Sequence, residues 1–579
     1  MFLNFLSFFT VYIIFFISIY SYGSLVTRLI FKNIKFNFGE TGLFGFVFIY
    51  LIVTLFHFFS AINIFLSSLF FLIGLVNFYF LCHQNKLSEI KNDKYFPLSF
   101  LFFVLIACTN NHHDDLYIFI LPIINYMQEY KIVFGLINLN DYIGQGHSLF
   151  EIMSLFRIPI IENRAYFLIP IIFFHFFVIF LIDSFKKNKS YILQNFIFFL
   201  VLLISLRFNR SKEFGTDLPV LCTIFYIQYN VFRFVITRDI SLFIKSSVIM
   251  IFGIILKIYS FVSIFYILIF FIFLKKDFFL VYVREKLITL FIFFLILFTL
   301  IKNIIVSGCL IYPIKNLCFE KSVIGWSISK EIAYKRNVHY SAQVKGWKSF
   351  TRNLNDGQFI KPKDYLNLDR ITHLRALVSD PDFDKILSGF IITLMSIFIM
   401  AISNGKKIKF IENKYKKITF LLLSLMPLLF WANLFPQSRY GYYAYISFFL
   451  ISFFYFFNTI AGISRRVFFS FFVLAICFVT FKNLSRIVNE VKIIDHNYYP
   501  IKKFRVSKEK VYKVNNINVK IPINSRLECA NIKMLCASYI ESLSNIKIIF
   551  GYYFVENNPI GILMHLNKSA THDMIEMND

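Results

Sequence analysis

The sequence predicts an all-α polytopic membrane protein of about fourteen transmembrane helices, with a small extracytoplasmic C-terminal α+β module. Three observations predict it. Of the 579 residues, 58% are hydrophobic and 16% charged, against about a quarter charged in a typical soluble chain. The apolar residues gather in runs of roughly 17–22, the length a helix needs to cross a bilayer. Lys and Arg collect in the short loops between those runs, as they do in loops retained on the cytoplasmic side.

In chain order the predicted spans are 2–21, 42–60, 62–82, 96–108, 166–184, 191–206, 218–236, 242–257, 259–274, 286–305, 386–403, 418–432, 441–458 and 467–482. The first, "MFLNFLSFFTVYIIFFISIY", lacks a basic leader and an A-x-A-like cleavage site, so it reads as a retained helix and not a signal peptide. The basic loops include Arg28, Lys32 and Lys35; Lys86, Lys91 and Lys94; Lys186, Lys187 and Lys189; Lys406, Lys407 and Lys409; and Arg465 with Arg466. Placing them inside puts both termini outside and makes every alternate loop agree. The chain then divides into N-terminal spans (1–108), a first extracytoplasmic loop with interfacial helices (109–165), central spans (166–305), a second outer loop (306–385), C-terminal spans (386–482) and an outer tail (483–579). A multi-pass protein of a bacterial inner (plasma) membrane fits this plan.

The net charge of +27 is a topology signal under this reading. Nucleic-acid binding wants a continuous basic face, and these charges are dispersed among short loops, so no nucleic-acid partner is expected. The 81 Phe residues fit codon bias and mark no aromatic site. Cys82, Cys108, Cys222 and Cys477 sit in or beside apolar runs, where Cys acts as a small hydrophobe. Cys309 with Cys318, and Cys529 with Cys536, fall in outer segments, where disulfides are permitted.

Loops longer than about 12–15 residues are usually functional, so the chemistry is expected on the outer face. "NNHHDDLYIF" opens the first loop. Asp114 and Asp115 there suit a general base or a divalent-cation ligand, and equally the cap of the helix that follows. His112 and His113 are adjacent, a spacing that does not diagnose zinc; a polar loop or a substrate contact is the better reading. Leu116, Ile120, Ile123 or Ile124 and Met127 recur at helical spacing, which predicts an amphipathic helix in the interface. In "RFNRSKEFGTDLP", Arg207 and Arg210 carry positive charge on the outer side, against the general trend, and are candidates for an anionic ligand such as a lipid phosphate. Asp217 starts a helix. Lys257 lies near the outer end of a span, either snorkelling or facing a cavity. Arg439 in "LFPQSRYGYY" suits a bidentate phosphate grip, although the tyrosines around it are also typical of an interfacial belt. "KVYKVNNINVKIPI" in the tail alternates as strands do.

No P-loop, G-x-G-x-x-G, H-E-x-x-H or G-x-S-x-G motif occurs, which argues against an ATP-driven pump or a serine hydrolase. A short span, an acidic pair opening the first long outer loop and then an interfacial helix resemble the GT-C glycosyltransferases. "DDLYIFILPIINYMQEYKIVFGLINLND" looks like a stretch in bacterial membrane proteins with a DD-x-Y…P-I…GLANLH pattern; "SGCLIYP", "GTDLP", "PQSRY" and "LECANIKMLCAS" also have counterparts there. "NDYIGQGHSLF" departs from the relatives' GRLGFNSSWF, which puts the acceptor side in doubt.

The resemblance implies a GT-C-like arrangement of helices and a polyprenyl-phosphate-linked sugar as donor. It implies an envelope glycan or lipid as acceptor, and Asp114 or Asp115 as the catalytic carboxylate. That carboxylate would be free or sitting on a divalent ion such as Mg or Mn. His112, His113, Arg207, Arg210, Asp217, Lys257 and Arg439 are the substrate-binding candidates. The alternatives are a transporter or flippase of lipid-linked oligosaccharide, or a surface-polysaccharide polymerase.

Overall fold

A computed structural model describes residues 2–84, 95–107, 120–139, 148–157, 168–187, 190–205, 215–274, 283–347, 360–378, 387–394, 414–437, 443–449, 509–522 and 543–557, with isolated residues and short pieces between them. Helices dominate. Six are long and apolar enough to cross a bilayer among the described residues, and four more apolar helices are shorter. This is a multi-pass membrane protein.

Helices α1 (Phe2–Leu29), α2 (Phe38–Phe59) and α3 (Ile64–His83) open the bundle. α1 runs on past 21 because its polar last turns find partners on α3: Asn77 Nδ2 donates to Ser21 O (2.8 Å), and Arg28 Nη2 to Asn77 Oδ1 (3.2 Å). α4 (Tyr95–Ala107), α7 (Leu168–Lys187), α8 (Tyr191–Ser205) and α9 (Asp217–Thr237) follow. A Cβ on Gly23 would lie 1.8 Å from Thr41 O, and one on Gly39 2.3 Å from Phe180 N. These two glycines let α2 pack against α1 and α7 at backbone contact, the small-residue packing that membranes favour. α1, α4 and α7 also share a polar bridge, in which His175 lies 2.9 Å from Tyr12 Oη and 2.8 Å from Ser99 Oγ.

α10 (Ile240–Leu256) and α11 (Ser263–Leu274) form a tight antiparallel hairpin joined by Lys257 and a 3-10 turn, Ile258–Val262. Phe243 near the start of one arm meets Phe270 near the end of the other, with centroids 5.3 Å apart. α12 (Lys286–Ser307) and α3 keep much of their apolar surface exposed, the pattern of helices facing lipid. Glu40 on α2 contacts Tyr226 and Lys245, while Phe31 meets Phe291. The end of α1 and the starts of α2, α10 and α12 therefore meet at one end of the bundle.

At the loop-rich end, α5 (Leu121–Glu129) and α6 (Ser148–Leu155) stand in the segment where interfacial helices are expected. Every residue of α6, and every residue of α5 before Glu129, is buried. The physical reason is coverage from both sides: Ile62 N donates to Met127 O (2.7 Å) and Ser148 Oγ to Ile255 O (3.0 Å) beneath them, while the tail lies above. Helices α13 (Lys330–Val344), α14 (Pro362–Leu366) and α15 (Arg370–Val378) complete that end, and α16 (Lys414–Leu434) returns through the bundle with Pro427 inside it.

Strands β1 (Lys406–Lys407) and β2 (Thr459–Ile460) form a short antiparallel pair. The tail's described residues form two antiparallel hairpins: β3 (Glu509–Val514) with β4 (Ile517–Pro522), and β5 (Leu543–Ile549) with β6 (Tyr552–Asn557). Disulfides join Cys309 to Cys318 and Cys529 to Cys536. Tyr126 on α5 grips the second by accepting from Cys536 N (3.0 Å) and donating to Cys536 O, and Tyr130 Oη accepts from Leu535 N (3.1 Å).

Gly39→Ala is expected to lower detergent-solubilised stability by about 1–3 kcal/mol through overpacking. Gly325→Ala, with open space around its Cβ position, is expected to leave the thermal-unfolding midpoint unchanged.

Candidate functional site

Among the described residues, three lysine–carboxylate pairs stand within the helix bundle or at its mouth. At the basic end, Asn37 and Glu40 form a capping box that starts α2. The same Glu40 accepts from Lys245 Nζ through Oε2 (2.8 Å) and from Tyr226 Oη through Oε1 (3.0 Å). The Lys245 and Glu40 side chains are 3% and 2% exposed. A carboxylate that satisfies a helix start, an ammonium and a phenol together is a packing lock.

A second pair sits towards the loop-rich end. Lys302 Nζ on α12 donates to Glu151 Oε1 on α6, and Thr54 Oγ1 donates to Glu151 Oε2 (2.8 Å). Tyr50 Oη lies 3.4 Å from Lys302 Nζ and 2.9 Å from Thr299 Oγ1. This network fastens α6 to α2 and α12. Gln128 Nε2 ties α6 to α5 through Ser154 O (2.8 Å) and Tyr166 Oη (2.7 Å).

The third pair differs. Lys257 Nζ stands 2.5 Å from Asp217 Oδ1, and the two side chains are 24% and 23% exposed. Asp217 is the first residue of α9 and Lys257 follows the last residue of α10, so each charge is complemented by the dipole of its own helix. Tyr440 and Tyr259 flank the ammonium, with ring centroids 5.2 and 5.7 Å from Nζ and 4.9 Å from each other. Ser148 Oγ at the start of α6 donates to Ile255 O, two residues before Lys257. The buried network and the accessible pair thus meet across one turn of α6.

A family model described as a domain of unknown function (DUF8201) matches residues 5–446. The match takes in most of the chain and all three ion pairs. The chain belongs to this family. No curated protein and no solved structure matches it. The family region stops short of the two tail hairpins.

Of the residues singled out in the sequence, the structure brings Asp217 and Lys257 together across 40 positions of chain. Asp114, Asp115, His112, His113, Arg207, Arg210 and Arg439 lie outside the described residues. Among the described residues, no group of three or more His, Cys, Asp or Glu side chains stands together to hold a metal ion. Sequence reading passed over Glu40, Lys245, Glu151 and Lys302, although Lys245 and Lys302 are charges inside predicted spans, the same signal that pointed to Lys257. Burial raises the Tyr126 hydroxyl above its ordinary value of 10.0, more than its bond to Cys536 O lowers it. The phenol therefore holds the tail in its neutral form.

Lys302→Met alone is expected to cost about 3–5 kcal/mol, because it strands a buried carboxylate, whereas Lys302→Met with Glu151→Gln recovers most of it. A double-mutant cycle on detergent-solubilised unfolding reads the difference. Tail docking should also depend on pH. With the folded value of Tyr126 above the unfolded value of 10.0, its contribution is intact below that pH and declines above it. Tyr126→Phe should remove this alkaline step in protease protection of the tail.

Proposed function

We propose that the chain is a GT-C-like membrane glycosyltransferase. In this reading it transfers a sugar from a polyprenyl-phosphate donor to an envelope glycan or lipid acceptor, on the extracytoplasmic face of a bacterial plasma membrane. About fourteen spans cross the bilayer, the basic end faces the cytoplasm, and both termini are outside. The observation that carries the reading is the Asp217–Lys257 pair. It is the accessible one of the three ion pairs described above, and it sits at the loop-rich mouth, where a lipid-borne phosphate would arrive.

The chemistry follows from the residue types. A carboxylate of the acidic pair Asp114–Asp115 takes the proton of an acceptor hydroxyl as that oxygen attacks the anomeric carbon. The bond from the anomeric carbon to the phosphate oxygen breaks, and polyprenyl phosphate departs with the electron pair. Lys257, oriented by Asp217, offsets the charge growing on that phosphate, with Arg207, Arg210 and Arg439 as further cationic contacts. A divalent cation on the acidic pair, where present, would add to that neutralisation.

Two observations favour a second reading, a transporter or flippase of lipid-linked oligosaccharide. Glu40–Lys245 and Glu151–Lys302 are ionisable groups within the bundle, and such groups often mark translocation paths. Both carboxylates are fully engaged, however, and each pair fastens helices together.

In proteoliposomes supplied with a polyprenyl-phosphate-linked sugar, Asp114→Asn combined with Asp115→Asn is expected to abolish transfer. Lys257→Met should lower kcat/KM by about 100-fold or more. Full transfer in the double variant would overturn the enzyme reading. Movement of the lipid-linked sugar across the bilayer without transfer would establish the second.

A further inference from the structure

The two tail hairpins turn differently. Asn515 and Asn516 carry the β3–β4 turn with φ of 49° and 63°, a left-handed conformation that Asn tolerates well. In the β5–β6 turn the same conformation falls on Phe550 (φ 50°) and Gly551 (φ 76°). A bulky aromatic residue in that region is an outlier, and backbone strain of this kind persists where the surroundings or the function demand it. Nothing in the protein rewards this one by burial, since Phe550 is 94% exposed. Ile548 and Ile549 beside it are exposed as well. Three consecutive large apolar side chains therefore project from the tip of a hairpin whose other strand is firmly held.

How that strand is held fixes where the tip points. Phe134 N donates to Tyr553 O and Val555 N to Phe134 O, each at 2.9 Å, so β6 is pinned to the loop beyond α5. The Phe134 ring stacks on Phe554 at 4.4 Å. Asn138 Nδ2 donates to Val555 O (2.8 Å). At the tip, Tyr552 Oη donates to Phe58 O (3.0 Å). Phe58 lies in the last turn of α2, a 22-residue apolar span, so its carbonyl marks the level where the hydrocarbon ends. Phe59 and Phe65, on either side of the turn into α3, are exposed apolar residues at the same rim. Lys131 Nζ stands 5.0 Å from the Tyr552 ring centroid, while Lys547 on β5 is paired with Glu556 on β6 (3.5 Å). The tip thus carries the Lys131 cation beside its apolar residues, as elements that sit among anionic headgroups do.

We infer that the β5–β6 hairpin is a membrane-dipping element, with Phe550, Ile548 and Ile549 seated in the leaflet at the loop-rich end and Lys131 among its headgroups. The occupant of this surface is lipid, because the patch continues the lipid-facing rim of α2 and α3. The hairpin then clamps the tail between Phe58 and the bilayer, directly over α5 and the mouth of the bundle.

The test uses the full chain in nanodiscs of mixed phosphatidylcholine and phosphatidylglycerol. The protein contains three Trp residues, and their emission sets the baseline. Phe550→Trp is expected to add blue-shifted emission that lipids brominated on the upper acyl chain quench and that aqueous iodide leaves unchanged. Ile549→Trp repeats the measurement from the neighbouring position should the left-handed turn reject the larger ring. Emission typical of water-exposed indole in both variants, quenched by iodide and indifferent to bromination, would overturn the proposal. So would shielding from iodide that develops only when another protein is added to the nanodiscs.

Discussion

The contact between Lys302 and Glu151 governs how the loop-rich end is built. An isolated charge inside an apolar bundle carries a desolvation cost of several kcal/mol, so neither side chain is tolerable there without the other. Their mutual neutralisation, completed by Thr54 and Tyr50, lets a short polar-centred helix lie buried among spans. Once α6 is seated, its first residue reaches the end of α10 and its last turn binds Gln128 of α5. The position of Lys257 relative to the first loop follows from that seating. Glu40–Lys245 does the corresponding work at the opposite end, where it closes α2 and α9 onto the α10–α11 hairpin.

The accessible pair acquires its character from contrast with these locks. Asp217 and Lys257 have the same chemistry as the buried pairs, yet they stand at helix ends and keep about a quarter of their surface open. Helix dipoles stabilise both charges before any ligand arrives, and the flanking rings of Tyr259 and Tyr440 hold the ammonium in place. A charge held in this way needs little reorganisation to receive an anion, the property expected of a phosphate site. The tail is anchored over the same end by Tyr126, Tyr130 and the Phe134–Phe554 stack. The regions above and below α5 therefore belong to one mechanical unit.

Much of this was legible in the chain itself. Apolar run lengths predicted the positions of most of the described helices. Strand alternation marked the β3–β4 segment. Asp217 and Lys257 were each visible, one as a helix start and the other as a charge in an apolar run. Their partnership was not, because 40 residues and two helices separate them and periodicity carries no information across that distance. Glu151 was hidden for a related reason: in a segment read as an outer loop, a lone carboxylate needs no partner.

The sequence by itself determined which segments must be helical and apolar, since the bilayer accepts only backbone that satisfies its own hydrogen bonds. It also determined which charges are exceptional. Tertiary structure alone decided which of those charges neutralise one another, that α5 and α6 are covered by other parts of the chain, and that Tyr126 and Phe134 fasten a tail more than 400 residues away. The physical reason is that desolvation cost depends on the neighbours a side chain finds in space, and packing chooses those neighbours between segments that are remote in the chain.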